Sequence, residues 1–212
     1  MLSRKDLAAI QSELSSFDQV REASLGLSRE ATRLSGSSIL EVHRGELKRA
    51  GVTIEKVKSS LGRIDELSRD FPELRSAASV LVAHQEFVEA STLLSFVERG
   101  KVPSLKDLGV DSKPYVLGLL DVIGEFRRMV LNCLRRGDVK KAESVLKVME
   151  SLYEDLQGLN HTAIVPTFRV KMDAARRIIE TTRGDVVTEA RRFSLEQALT
   201  GLEKRLASRS KS

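Results

Sequence analysis

The sequence predicts an all-α fold, and three observations carry the prediction. Charged residues make up 31% of the chain and aromatics only 4%, with no tryptophan and four prolines. That composition, rich in Leu, Ala, Glu, Lys and Arg, favours helices. Apolar residues recur at spacings of three and four along most of the chain, and no strand-like alternation persists. The 212 residues make one large domain or two small ones, with room for a real core. Nor does any repeat of about 30 to 45 residues mark a helical solenoid. Six or seven helices are expected, several of them unusually long.

Ser3 suits an N-cap, and Leu7, Ile10, Leu14, Phe17, Val20, Leu27, Ala31, Leu34, Ile39 and Val42 follow at near-helical spacing. They predict one long helix, or two in line, to about Ala50, with Gly51 ending it. Gly26 and Gly36 inside it each cost about 1 kcal/mol relative to Ala, and mark either a close backbone approach or a kink. Thr53 can cap a second helix to about Arg69. Asp70-Phe71-Pro72-Glu73 is a start signal for a helix reaching Gly100. Residues 101–112 read as a linker with a short helical turn at 104–108. Ser112-Lys113-Pro114 opens the next helix, which stops at Gly137, and Asp138 caps another through Gln157, ended by Gly158. A loop over 159–165 leads to Pro166, which opens a helix to about Arg183. Gly184-Asp185 is expected to break it before a last amphipathic segment from about Val187 to Ala207. The domain reading is 1–183 as one all-α domain and 184–212 as a helical extension with a basic, frayed tail.

The net charge is +5 and the pI about 9.4. Residues 127–141 hold six basic residues and one acid, and residues 201–212 hold four and one. Such clusters suit a polyanion, or form solvated helix faces. The single Cys133 excludes an internal disulfide framework and suits a reducing compartment. No apolar run approaches the roughly 20 residues that span a bilayer. A soluble, cytoplasmic protein is expected, with no membrane partner.

Two acidic pairs carry the chemistry. Glu86 and Glu89 stand about 60° apart on one helix face, and Asp121 and Glu125 about 40° apart on another. The first pair continues a stripe of Val82, Leu93 and Val97, and the second lies between Leu117 and Met129. Carboxylates on apolar stripes are costly unless paired or bound to a cation. Four of them converging would hold a hard divalent ion. Ion pairs with Arg127, Arg128 or lysines on neighbouring helices are the structural alternative. A di-metal oxidoreductase bundle needs Glu-x-x-His motifs, and none of these acids has a histidine three residues on. Gly118 and Gly124 could let another backbone approach closely beside the second pair.

The residues around both pairs are similar to those of the translin family, and more to its Trax (translin-associated factor X) branch than to translin. The stretches are His84-Gln85-Glu86-Phe87-Val88-Glu89-Ala90 and Tyr115-Val116-Leu117-Gly118-Leu119-Leu120-Asp121-Val122-Ile123-Gly124-Glu125, continuing through Arg128-Met129, Asn132 and Gly137-Asp138. A weaker match runs from Arg29-Glu30 to Val42-His43-Arg44-Gly45. The resemblance spans residues 28–183 and implies about seven helices assembling into a hollow barrel, typically an octamer. It implies binding of single-stranded RNA or DNA. Trax-type subunits are Mg²⁺-dependent endoribonucleases whose catalytic and metal-binding carboxylates fall here on Glu86, Glu89, Asp121 and Glu125. Translin-type subunits bind without keeping the whole acidic set, which this chain keeps. Trax usually works beside a translin partner subunit; a homo-oligomer of the archaeal type is the reading preferred here.

An all-oxygen donor set suits Mg²⁺, or Mn²⁺, better than Zn²⁺. Any one of the four acids could serve as general base on an attacking water. His43, Arg44 and Arg128 are candidates for holding RNA phosphates. His84, two residues before Glu86, points elsewhere and reads as a surface or interface histidine. His161 reads as a loop residue, and Cys133 as a packed thiol rather than a nucleophile.

Overall fold

The computed structural model describes residues 2–159 and 167–209, and the chain divides into two compact units, Met1–Leu119 and Leu120–Ser212. Seven α-helices and one 3₁₀ turn account for the secondary structure of the described residues, which include no strand. The all-α expectation holds.

In the first unit, α1 (Arg4–Arg44) opens on a reciprocal cap. The Asp6 amide donates to Ser3 Oγ at 3.1 Å and the Ser3 amide to Asp6 Oδ2 at 3.4 Å. The helix runs through Gly26 and Gly36, and neither position is approached by another group within 4 Å. Its buried face begins at Ser24 and is built from small side chains, Ser28, Ala31, Ser35 and Ser38, with Leu27, Ile39 and Val42. Small residues let α2 (Leu47–Leu67) fold back closely enough for Ser38 Oγ to donate to the Ala50 carbonyl at 3.2 Å. Gly45, at φ 81°, ends α1. Gly51, expected to stop the first helix, lies inside α2. The apolar face of α2, with Ala50, Ile54, Val57, Leu61 and Ile64, is buried.

The Pro72 signal opens a 3₁₀ turn, Pro72–Ser76, rather than the long helix, and α3 (Ala78–Arg99) starts after it. Phe71 meets Phe17 edge-on, with ring centroids 5.4 Å apart. The expected turn at 104–108 is α4 (Leu105–Leu108), opened by a Ser104–Asp107 capping box. The first turns of α5 (Ser112–Arg135) complete this unit, anchored by Tyr115 Oη donating to the Pro103 carbonyl at 2.9 Å.

The second unit holds the rest of α5, α6 (Val139–Gln157) and α7 (Phe168–Arg209). Asp138 caps α6 as read, accepting from the Lys141 amide at 3.1 Å. Ala142, Val145, Leu146, Met149, Leu152 and Leu156 form its buried face. Buried Phe168, Met172, Ala175, Ile179 and Val186 form that of α7. Arg183 joins α7 to Glu150 of α6 at 2.7 Å. The break expected at Gly184-Asp185 does not occur, because α7 continues to Arg209. Past Val186 its stripe Leu195, Leu199, Leu202 and Leu206 is exposed. The loop at 160–165, His161 and the Pro166 start fall outside the described residues.

Candidate functional site

Glu86 and Glu89 lie on α3, in the first unit. The helix is pinned by Val80, Ala83, Phe87, Val88 and Ala90, all buried. Both carboxylates flank that face and are half-buried. The stripe on which they were placed runs along the margin of the core face, since Leu93 is fully buried while Val82 is 44% and Val97 36% exposed. A spacing of three or four leaves a side chain free to sit on the margin of a packed face as well as at its centre.

Asp121 and Glu125 lie on α5, in the second unit, between the buried Leu120, Val122, Ile123 and Phe126. Their side chains keep 24% and 23% of their surface exposed. Each has a cation beside it. Lys171 Nζ of α7 pairs with Asp121 Oδ1. Arg128 stands 3.8 Å from Glu125, one turn further along α5. Arg127 instead reaches α7, donating to Thr182 Oγ1 at 2.8 Å and pairing with Asp185 at 3.1 Å. The ion-pair alternative read from the sequence is thus realised for the second pair, with Lys171 and Arg128 as the cations.

Among the described residues, no three His, Cys, Asp or Glu side chains are arranged to hold a metal ion within this chain. The donor set still suits Mg²⁺ in kind. All four candidates offer hard oxygen and are reachable from solvent, and Mg²⁺ needs only one or two direct carboxylates while keeping its waters. Lys171 marks the place where Asp121 already holds a positive charge.

His43 and Arg44 occupy the last turn of α1, where cations meet the carbonyl end of the helix dipole. His43 is half-buried and Arg44 exposed, with no ion pair to Arg44 among the described residues. Arg128 is exposed on α5. A groove of about 660 Å³ between α2, α3 and α4 is lined by none of the candidate residues.

His84, read as a surface or interface histidine, lies on α3. It is half-buried, its Nδ1 has no hydrogen-bond partner, and desolvation lowers its pKa against the opposing pull of Asp65 and Asp111. Cys133 is buried, and burial pushes its thiol up, away from the reactive thiolate. Sequence reasoning missed two groups. Glu41 is only 7% exposed, and no apolar stripe announced it. It accepts from Thr53 Oγ1 at 2.8 Å and pairs with Arg49 Nε at 2.9 Å, a satisfied structural acid. Lys171 was not singled out because its partner lies 50 residues away.

The chain matches the model of the translin family over residues 19–181. It is 36% identical to an uncharacterised protein of Methanocaldococcus jannaschii over 193 residues, which covers 88% of this chain and 83% of that protein. Three solved structures are similar. The AfC3PO–duplex RNA complex is 30% identical with a TM-score of 0.81, covering 87% of this chain and 96% of that one. AfC3PO alone is 31% identical with a TM-score of 0.81, covering 87% and 97%. Apo-NeC3PO is 26% identical with a TM-score of 0.80, covering 89% and 98%.

Proposed function

This chain belongs to the translin family, and from that membership we propose that it is a Trax-like catalytic subunit, a metal-dependent endoribonuclease acting on single-stranded RNA. The observation that carries the reading is the full set of four carboxylates, Glu86, Glu89, Asp121 and Glu125. All four are half-buried on helices pinned by fully buried neighbours. A binding-only subunit has no use for four acids, which repel the polyanion it must hold. The similar AfC3PO in complex with duplex RNA supports RNA as the partner.

Bound Mg²⁺, or Mn²⁺ in its place, would supply charge neutralisation at the phosphate and a more acidic water. The four carboxylates would hold the ion, directly or through water, and one of them would accept the proton of the attacking water. The water oxygen bonds to phosphorus, one P–O ester bond breaks, and the departing oxygen takes up a proton. His43, Arg44 and Arg128 hold neighbouring phosphates; the arginine fork matches phosphate oxygens two at a time. The working form is a homo-oligomer, an octameric barrel in this reading.

The test is cleavage of a labelled single-stranded RNA by wild type and Glu125→Ala, with Mg²⁺ and with EDTA, with light scattering on both proteins. Metal-dependent cutting that Glu125→Ala loses while keeping its assembly is the expected result. A second reading rests on the Asp121–Lys171 and Glu125–Arg128 pairs, which already neutralise two of the acids. It makes the chain a single-stranded RNA- or DNA-binding protein without catalysis. Binding with no cutting in any metal would establish it.

A further inference from the structure

The turn that joins α5 to α6 sets four cations, Arg135, Arg136, Lys140 and Lys141, against one acid, Asp138. All four cations are exposed, and none has an ion pair among the described residues. Asp138 is engaged as the cap of α6, accepting from the Lys141 amide at 3.1 Å. The acids that share a shallow groove with Arg135, Asp185 and Glu189, are matched to Arg127 and Arg192 instead.

The backbone between the two helices is fixed. Gly137 is left-handed at φ 74°, its amide donates to the Leu134 carbonyl at 2.9 Å, and the Asp138 amide donates to the Cys133 carbonyl at 3.0 Å. Arg136 and Lys141, from either side of this turn, both act on the Cys133 thiol, opposing the rise that burial gives its pKa. The two sides of the turn therefore bring positive charge into one region. Helix stability does not ask for this. Cations in the first turn of a helix meet the positive end of its dipole, and like charges repel. α1 and α4 carry Asp6 and Asp107 there, whereas α6 has no acid in its first turn and carries Lys140 and Lys141.

We infer that the 135–141 turn is a second RNA contact, which holds the phosphodiester backbone of the strand at a distance from the carboxylates. The inference rests on RNA as the partner, argued above, and not on catalysis. Arg135 lies ten residues beyond Glu125 in α5, about 15 Å along the helix axis. A strand lying against Glu125 would thus meet the turn with phosphates further along its length. Guanidinium and ammonium groups hold phosphate oxygens without reading a base. Residues 135–141 include no aromatic side chain on which a base could stack, so the contact is independent of sequence.

The experiment measures binding of a labelled single-stranded RNA in EDTA over a series of NaCl concentrations, with assembly of the full-length proteins followed by light scattering. Three variants stand beside wild type. The first combines Arg135→Gln, Arg136→Gln, Lys140→Gln and Lys141→Gln. The second keeps the charge, with Arg135→Lys, Arg136→Lys, Lys140→Arg and Lys141→Arg. The third removes equal charge elsewhere, with Arg4→Gln, Lys5→Gln, Lys56→Gln and Arg63→Gln. Each phosphate contact to a single strand contributes about 0.7 to the slope of log affinity against log salt. The first variant should lose about 2 to 3 from that slope and bind on the order of a hundredfold more weakly in dilute salt. Its thermal midpoint should not fall, because the four charges oppose the start of α6. The second and third variants should stay close to wild type. An unchanged slope in the first variant, or an equal fall in the third, would overturn the inference. So would a lower thermal midpoint or loss of assembly in the first variant, which would make the turn a structural element. A wild type that binds no RNA at any salt concentration would show the RNA reading itself to be wrong before any variant is compared.

Discussion

Burying Glu41 removes hydration that Thr53 and Arg49 replace. Glu41→Ala would leave the Thr53 hydroxyl without its acceptor in a packed helix pair, and should cost about 1–3 kcal/mol, read from the shift in urea midpoint. His84 gives stability a pH dependence whose sign is fixed. The folded chain holds the imidazole neutral below its ordinary value of 6.5, so the unfolded chain takes up the proton first as pH falls. Stability from this group is full above about pH 6.5 and declines below it, with a slope of at most about 1.4 kcal/mol per pH unit. His84→Gln should flatten denaturation midpoints between pH 6.5 and the onset of general acid unfolding; an unchanged slope would show that His84 is not the source. At Cys133 the sequence was sufficient, since no histidine accompanied the thiol and a packed role followed. At Glu41 it was not, because burial of an acid depends on a partner helix that periodicity along one helix cannot report.

Helix ends were legible wherever a side chain does the capping. Ser3, Ser104 and Asp138 each announced a start that the backbone hydrogen bonds confirm. Glycine was harder to read, because the same residue ends one helix and passes through another. Gly45 adopts the left-handed conformation that stops α1, while Gly51 and Gly184 sit inside helices held by the packing around them. Gly118 and Gly124 part in the same way. A methyl at Gly118 would lie 2.6 Å from the Gln85 carbonyl oxygen and 2.7 Å from Val88 Cβ, whereas at Gly124 nothing lies within 4 Å. Gly118 is thus where α5 closes on the turn of α3 that carries Glu86 and Glu89. Gly118→Ala should destabilise the chain by about 1–3 kcal/mol through overpacking. Gly124→Ala should stabilise it by up to about 1 kcal/mol through helix propensity. Thermal unfolding of the two variants beside wild type separates them, and equal midpoints would contradict the close contact.

The acidic pairs are divided between the two units, Glu86 and Glu89 in the first, Asp121 and Glu125 in the second. Their order and spacing were visible in the sequence, but their exposure was not, because an apolar stripe shows only that a helix packs and not which edge stays wet. Assembly bears on substrate choice. In the proposed hollow oligomer RNA must enter as a flexible strand, so a single-stranded tail should be cut well and a stable hairpin stem poorly; equal cleavage of the stem would speak against an enclosed site. The most direct test of the nuclease reading asks whether the pairs act as one site. Single-turnover cleavage in Mg²⁺ would be measured for Glu86→Ala, Asp121→Ala and the double variant, with assembly checked by light scattering. Groups that act as a unit lose nothing further when the second is removed. The account predicts that each single variant is slowed on the order of a hundredfold or more and that the double variant is no slower than either. Losses that multiply, or single variants that cut as fast as wild type, would contradict it.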